Sequence, residues 1–250
     1  MERSWWSHFA EIRATIAEED GVVVGTAGWT THEEDGFGYI LWLHAGERVD
    51  VLERLVRDCL ANLEACEGVR AFWIATPMSL GLEGLPISRR RSTAAVLERN
   101  GFTGQDLWAY MGMPLDPATA SDPSTLPEPG SRRLATRIDG RDVAEVDFEI
   151  GRDGIGVVWW LHVDPEHRRK GLGSSLFDAA IVAMTDARVR AVVLYVDDDD
   201  PVNRDRSAAI RLYRSRGFED VDRLWSYERR TTRVPVLLGD ASRWSSAPAV

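Results

Sequence analysis

The second half of the chain repeats the order of motifs found in the first half. The segment from Gly38 to His44 matches the one from Gly156 to His162, and the segment from Leu107 to Tyr110 matches the one from Leu224 to Tyr227. A Val-Arg-Ala triplet and a Gly-Phe pair between them recur in the same order, and all offsets lie between 116 and 120 residues. Because a sequence repeat indicates a repeated structural unit, the chain is predicted to fold as two similar halves.

Proline content predicts where the halves meet. Residues 114–130 hold five of the eleven prolines in the 250-residue chain, which is typical of a stiffened linker. We therefore expect a first domain over residues 1–115, a linker over 116–129, a second domain over 130–232 and a tail over 233–250. The 44% content of hydrophobic residues is sufficient for a globular core in each half.

The pattern of apolar residues predicts an α/β (α+β) fold, in which each half is a mixed, mostly antiparallel sheet flanked by helices. In the first half, strands are predicted over residues 10–16, 22–29, 38–43, 71–76 and 107–113, with helices over 50–66 and 92–99. In the second half, we expect a buried strand over 157–163, a helix beginning near Gly173, a strand over 192–196 and a short helix that Gly217 ends.

A basic, glycine-rich turn joins that buried strand to its helix. It reads Arg168-x-x-Gly171-x-Gly173, and two further cations follow Arg168 directly. Glycine lets the backbone approach a ligand closely, and the unpaired amides of a helix N-terminus attract anions, so the turn predicts a phosphate site. Its spacing matches neither a Walker loop nor the three-glycine dinucleotide motif. On this motif alone, a plain tight turn is an equal alternative.

A second motif, Ala209-x-x-Leu212-Tyr213-x-x-x-Gly217-Phe218, follows about forty residues later. The two motifs in this order resemble the GCN5-related N-acetyltransferase (GNAT) superfamily, and the tandem layout is similar to that of mycothiol synthases. The resemblance implies acetyl-CoA as co-substrate, a pyrophosphate in the glycine-rich turn, and a pantetheine arm beside the strand that ends at Val163. The implied cofactor-binding residues are Leu161, Val163, Arg168, Arg169, Lys170, Gly171, Leu172, Gly173, Ser174 and Arg211.

The same resemblance implies direct attack of an amine on the thioester. Tyr213 is the candidate general acid for the departing thiolate, and a tyrosine that only packs in the core is the alternative. The general base is left open between His162 and Glu149, with Asp147 also on the preceding strand. His44 occupies the place of His162 in the first half, and this repetition favours a structural role for both histidines.

The two halves differ at the residues that carry the chemistry. Where the second half has its glycine-rich turn, the first has Arg48-Val49-Asp50-Val51-Leu52-Glu53, and Leu97 stands in the place of Tyr213. Carboxylates there would repel a pyrophosphate. We therefore expect a degenerate first half that is structural, a wall of the substrate cleft, or both. The helices that usually precede the first hairpin in the family have no room in either half.

Composition and charge restrict the partners. A net charge of −10 argues against nucleic acid, and no apolar run is long enough for a membrane span or a signal peptide, so we expect a cytoplasmic protein. Cys59 and Cys66 are expected to pack in the core, and no metal site is predicted. The expected acceptor is a small-molecule primary amine. The acidic stretch over 197–205 could recognise a polycationic or amino-sugar acceptor, and a solvated loop is the more common alternative. Another acyl-CoA, another acceptor atom, a non-catalytic acyl-CoA-binding module and a homodimer are left open.

Overall fold

The computed structural model describes residues 5–79, 82–115, 129–151, 154–197 and 206–231. The linker residues 116–128, the tail 233–250 and all but the first residue of the acidic stretch 197–205 lie outside the described residues. Within those ranges, no helix is both long enough and apolar enough to cross a membrane.

Among the described residues, each half has four main leading strands, two α-helices and one long final strand, and the first half adds a two-residue strand. The elements of the first half are β1 (Arg13–Glu19), β2 (Val22–Thr31), β3 (Phe37–His44), α1 (Val49–Asn62), β4 (Gly68–Ala71), the two-residue β5 (Leu85–Pro86), α2 (Arg91–Arg99) and β6 (Thr103–Pro114). Those of the second half are β7 (Gly130–Ile138), β8 (Arg141–Ile150), β9 (Ile155–Val163), α3 (Leu172–Asp186), β10 (Ala191–Asp197), α4 (Ser207–Ser215) and β11 (Glu219–Arg230).

All eleven strands belong to one continuous sheet, in which the two halves exchange their final strands. The order is β1-β2-β3-β4-β11-β6-β10-β9-β8-β7, and β5 pairs with β11. Thus β11 of the second half lies against β4 of the first, with Tyr227 opposite Ala71. In return, β6 of the first half lies against β10 of the second, with Tyr110 opposite Tyr195. The exchanged strands pair with each other, antiparallel, at the centre.

The exchanged strands also carry side chains into the opposite cores. Buried Tyr227, from β11, belongs to the core that α1 and α2 cover in the first half. Buried Met111, from β6, belongs to the core under α3 in the second half, together with Phe177 and Leu194. Each core therefore depends on one strand from the other half.

The predicted fold class and the two tandem halves are confirmed, whereas several boundaries are wrong. The strand predicted over 71–76 is β4, which ends at Ala71, because Phe72 takes a left-handed φ of 60° and the chain leaves the sheet. Val69 accordingly corresponds to Val192, the residue that pairs in the equivalent place, rather than to Val189. The first strand begins three residues later than predicted, at Arg13, and the helix predicted to reach residue 66 ends at Asn62.

Arg70 of β4 links the first half to the strand that it receives. Its guanidinium donates hydrogen bonds to Asp35 at 2.9 Å and to Glu228 of β11 at 3.1 Å. The same group lies over the ring of Phe37 at 3.8 Å and over that of Trp73 at 4.5 Å. With 19% of its side chain exposed, Arg70 is a largely desolvated cation whose two carboxylate partners come from different halves.

The substitution Arg70→Met is expected to lower the free energy of unfolding by about 3 kcal/mol, because it leaves the buried Asp35 carboxylate and Glu228 without their cation. The measurement is urea unfolding followed by circular dichroism. Arg230→Met is the matched control: Arg230 also pairs with Glu228, but 76% of its side chain is exposed. It should cost less than about 1 kcal/mol. Equal losses in the two variants would contradict the proposed anchoring role of Arg70.

Candidate active site

The strands β9 and β10 separate at one end and leave an opening in the sheet. Their parallel pairing runs from Ile155 opposite Ala191 to Val158 opposite Leu194. Both strands continue beyond this point, to Val163 and Asp197. Residues 160–163 stay paired with β8 on their other edge. The edge of β9 that faces the opening therefore has backbone groups that the sheet does not use, and Leu161 and Val163, both predicted to contact the cofactor, lie on it.

The predicted phosphate turn lies at the end of β9 and leads into α3. A 3-10 turn at Pro165–His167 is followed by Arg169 with φ 61° and by Gly171 with φ 81° at the start of the helix. A left-handed residue in this place favours glycine, and a Cβ on Gly171 would meet no atom within 4 Å. The first hydrogen bond of the helix runs from the Ser175 amide to the Gly171 carbonyl at 2.9 Å. The amides of residues 172–174 therefore have no carbonyl partner within the helix.

Gly173 is required for a different reason. A Cβ built on it would lie 3.2 Å from Cγ2 of Val163, which is closer than a comfortable van der Waals contact. Its small size therefore lets the first turn of α3 pack directly against the end of β9. This packing holds the helix N-terminus beside the opening between the strands.

Four arginines and one lysine were predicted or found near this turn. Arg168 donates from Nε to the Val163 carbonyl at 3.0 Å, and Arg169 and Lys170 are exposed. Arg211 is exposed on α4. The structure adds Arg216, which was not predicted: it donates to Ser174 Oγ at 3.2 Å and to both oxygens of Asp178, at 2.7 and 2.9 Å.

Hydrogen bonding from Arg216 lowers the pKa of Asp178, and this carboxylate in turn fixes the guanidinium over the first turn of α3. Arg216 stands immediately before Gly217 at the end of α4. The only sequence signal for it was this place next to the glycine of the second motif. A guanidinium here adds positive charge to the helix N-terminus, where an anion would bind.

Tyr213 lies on the helix-covered side of the sheet, in the core of the second half. Its ring centroid is 5.1 Å from that of Phe177 and 6.2 Å from that of Phe218, and 8% of the residue is exposed. The helix α4 places it on the same side as α3. The assignment of Tyr213 as a general acid stays a prediction.

His162 and Glu149 lie on the opposite side of the sheet. They alternate with residues that face the core, such as Leu161 and Phe148. His162 is opposite Glu145 in the ladder, whereas Glu149 is opposite Val157, four residues further along β8. At about 3.4 Å per residue, this places the two backbones about 14 Å apart, so the two candidate bases are alternatives rather than partners.

The immediate contacts of the candidate bases differ. His162 Nε2 is 3.3 Å from Asp164 Oδ1, and its ring stacks on Trp160 at 6.0 Å. Glu149 Oε2 accepts a hydrogen bond from Trp159 Nε1 at 3.2 Å. His44, the equivalent of His162, contacts the Met78 carbonyl at 2.7 Å. The two histidines therefore have different partners, a backbone carbonyl in the first half and a carboxylate in the second.

Neither cysteine belongs to this site. Cys59 is buried in the core of the first half, where burial raises the pKa of its thiol to about 12, and Cys66 is half-buried. In the part of the chain that the structure describes, no group of three or more histidine, cysteine or acidic side chains could hold a metal ion.

Comparison with known proteins places a family domain on this site. Residues 131–220 match the family model described as an acetyltransferase (GNAT) domain. The match covers β7 to β10, the phosphate turn, α3 and α4.

Relatives named mycothiol acetyltransferase are similar over different shares of the chain. The protein of Geodermatophilus obscurus is 28% identical over 211 residues, which are 80% of this chain and 63% of that protein. The protein of Nocardiopsis dassonvillei is 39% identical over 99 residues, which are 36% of this chain and 28% of that protein. The chain thus spans less than two thirds of the length of these relatives.

Solved structures show the same architecture over most of the chain. A tandem GNAT protein from the clavulanic acid biosynthesis pathway superposes with a TM-score of 0.61 and 14% identity, covering 91% of this chain and 85% of that one. A GCN5-related N-acetyltransferase from Kribbella flavida gives a TM-score of 0.50 and 16% identity over 83% of this chain and 88% of that one. The chain therefore has the tandem GNAT fold, and its residues 131–220 match the GNAT acetyltransferase domain family.

Proposed function

We propose that this chain is an acetyl-CoA-dependent N-acetyltransferase whose second half is catalytic and whose acceptor is a primary amine of a small molecule. The observation that carries the proposal is the juxtaposition of two features. The N-terminus of α3, opened by left-handed Gly171, adjoins the opening between β9 and β10. The first feature suits a pyrophosphate, and the second suits an extended pantetheine arm.

In this proposal, the amides of residues 172–174 bind the pyrophosphate, and Arg216 adds charge at the same helix turn. Arg168 is held toward the turn by its bond to the Val163 carbonyl. The edge of β9 beyond Val158, which β10 leaves unpaired, then supplies hydrogen bonds to the pantetheine arm and an amide for the thioester oxygen. That amide stabilises negative charge as the amine attacks.

The proposed proton transfers use both sides of the sheet. Tyr213 lies on the side of α3, whereas His162 and Glu149 lie on the other side, so the acid and the base meet only through the opening between the strands. The amine would lose its proton on the side opposite α3, and the thiolate would gain one from the side that α3 covers. Because of this separation, a proton cannot pass directly from the general acid to the general base.

The turn between β3 and α1, which corresponds to the phosphate turn, carries carboxylates that bind its own and neighbouring groups, and this supports the assignment of the first half as degenerate. Glu47 accepts hydrogen bonds from Arg90 at 2.7 Å, from the Ser92 amide at 2.8 Å, and from the amide and hydroxyl of Thr93 at 3.1 and 2.5 Å. This carboxylate thus occupies the N-terminus of α2. Arg48 in turn is held by both oxygens of Glu19 and by Asp50.

The acceptor assignment rests on the character of the relatives. Relatives of this chain are named mycothiol acetyltransferase, a name that denotes acetyl transfer. A primary amine is the corresponding acceptor class proposed for this chain. The rival functions are transfer from another acyl-CoA and a non-catalytic acyl-CoA-binding module. They predict different results for acetyl-CoA binding and for the rate of acetylation.

Gly171→Asp is expected to weaken acetyl-CoA binding by about tenfold or more, because it sets a carboxylate against the pyrophosphate. Gly171→Asn is the control, since asparagine has the same shape, also tolerates a left-handed φ, and lacks the charge. Calorimetric titration should give one site per wild-type chain. Two sites would contradict a degenerate first half, and no binding by the wild-type protein would overturn the proposed function.

Tyr213→Phe is expected to leave acetyl-CoA binding unchanged, because the ring contacts with Phe177 and Phe218 are kept. Turnover should fall by about a hundredfold, the usual contribution of a general acid. Release of the CoA thiol in the presence of primary amines measures turnover. An unchanged rate would make Tyr213 a packing residue, and a wild-type protein that binds acetyl-CoA but acetylates no amine would favour the non-catalytic module.

Glu47→Gln is expected to lower the free energy of unfolding at pH 7 by about 2 kcal/mol, because charge-assisted hydrogen bonds are lost. Burial opposes ionisation of Glu47, but the bonds from Thr93 and Arg90 outweigh it and lower the pKa of the carboxyl. A carboxylate with a lowered pKa in the folded state stabilises the fold at pH values above its unfolded pKa of about 4.3. This stabilisation is lost as the pH falls through the folded pKa. The difference from wild type should therefore shrink as pH falls below about 4.

Urea unfolding across this pH range measures the effect. Glu64→Gln, which removes an exposed carboxylate after the end of α1, is the control and should cost less than about 0.5 kcal/mol at every pH. A loss in Glu47→Gln that does not vary with pH would mean that the carboxylate does not cap α2 as an anion.

A further inference from the structure

Three aromatic rings form a row on the side of the second half's sheet that lies opposite α3. The rings of Tyr110 and Tyr195 stack with centroids 5.5 Å apart and planes 19° apart. The ring of Trp159 lies 5.9 Å from that of Tyr195, with planes 32° apart. We call Trp159, Tyr195 and Tyr110 the aromatic platform. It crosses the opening between β9 and β10, and Tyr110 comes from β6, the strand that the first half contributes.

Strand geometry explains why these rings face away from α3. On β10, the neighbours of Tyr195 are Leu194 and Val196, which are both buried in the core, so Tyr195 points to the other side. On β9, the register with β8 shifts between Asp147 and Phe148, which leaves Trp159 as the extra residue of a β-bulge. A bulge re-aims a side chain, and bulges are common beside active sites.

The platform offers partly exposed aromatic surface beside the opening, with Tyr110 and Tyr195 half-buried. Trp159 is 42% exposed and the adjoining Trp160 is 38% exposed. Exposure of large aromatic rings to water is unfavourable, so a group of such rings on a sheet face indicates a binding surface. Its place across the opening would set a bound molecule against the thioester.

Carboxylates border the platform. Glu149, Asp147 and Glu145 lie on the same side of β8, in alternation with core residues. Glu149 uses one oxygen, Oε2, to accept the bond from the Trp159 indole. From the first half, Glu83 lies close enough to Tyr195 to contribute, after burial and Tyr110, to raising the pKa of that phenol. Arg133 pairs with Glu145 at the far side. The border is thus predominantly negative.

We propose that the acceptor of this enzyme is a cationic arylalkylamine, whose ring stacks on the aromatic platform and whose ammonium group lies toward Glu149. This inference rests on the proposed acetyltransferase function and names its substrate class. A flat ring would stack beside the exposed Trp159 at the end of the row, and a cation is attracted both by aromatic rings and by the carboxylates. A sugar amine would need a polar partner for each hydroxyl, whereas the platform lines this place with aromatic rings.

The transfer step balances with groups already described. The ammonium gives one proton to the Glu149 carboxylate, directly or through a water, and the neutral nitrogen attacks the thioester carbonyl carbon. The new C–N bond forms as the C–S bond breaks. The amide nitrogen gives its surplus proton to solvent, and the thiolate takes one from Tyr213. The product is a neutral amide, which the carboxylates no longer attract, so acetylation itself favours release.

The test compares two amines of similar size and basicity on the full chain. The aromatic probe is 2-phenylethylamine, and the matched control is 2-cyclohexylethylamine, with glucosamine and spermidine as the competing classes. Release of the CoA thiol gives kcat/KM for each. We expect 2-phenylethylamine to exceed 2-cyclohexylethylamine by about threefold to tenfold, the range of an aromatic contact beyond its buried area. It should exceed glucosamine and spermidine by more.

Two variants locate the effect. Tyr110→Leu is expected to raise the KM for 2-phenylethylamine by about tenfold and to leave the KM for acetyl-CoA unchanged, because Tyr110 is remote from the phosphate turn. Tyr110→Phe keeps the ring and should match wild type. An unfolded Tyr110→Leu protein, seen by circular dichroism, would leave the comparison of amines on wild type as the deciding measurement.

The outcomes separate this inference from the proposed function. Preferred acetylation of glucosamine or spermidine, or equal rates with the two matched amines, overturns the arylalkylamine assignment and keeps the acetyltransferase. Acetyl-CoA binding without acetylation of any of the four amines also overturns the assignment. Absence of acetyl-CoA binding overturns the acetyltransferase function, and the assignment with it.

Discussion

The antiparallel pairing of β6 with β11 is the interaction on which the rest of the structure depends. It joins the two halves at the centre of one sheet, and each of these strands also closes the sheet and the core of the opposite half. Removing either strand would leave β4 or β10 with an unpaired edge and open a core that Met111 or Tyr227 fills. The halves are therefore one cooperative unit, even though each has its own hydrophobic core.

Within this nearly symmetric frame, the two halves use the same turn in opposite ways. The second half keeps glycine at the start of α3 and leaves the helix amides in front of an open strand edge. The turn before α1 in the first half instead carries Glu47, which caps α2, and Asp50, which holds Arg48 together with Glu19. Carboxylates thus stand near the start of the matching helix, where they would repel an anion. The asymmetry is thus electrostatic, and it arises without any change of fold.

Local sequence predicted the elements that local physics determines. The apolar run of β9, the glycines at the start of α3 and the Gly217 end of α4 all depend on neighbours in sequence, and they are where we expected them. The exchange of β6 and β11 could not be predicted. Because the two strands are equivalent, the sequence allows either of them to pair with β4 or with β10. The early end of β4 was also missed, since only a left-handed Phe72 and tertiary contacts stop a run that is apolar throughout. Trp159 contacts Glu149 because of a β-bulge, and Arg216 contacts Asp178 because of where α4 ends. Local sequence did not predict either contact.

Strand exchange also governs how the chain can fold as it is synthesised. When the first half has left the ribosome, β4 still lacks its neighbour, and β6 has no strand on either side. The missing neighbour, β11, is the last strand of the sheet and ends at Arg230, more than 150 residues after β4. Contacts of such high sequence separation close slowly, and unpaired strand edges invite association with other chains in the meantime. The native sheet of the first half, including the bond from Arg70 to Glu228, therefore cannot be completed until β11 has been synthesised.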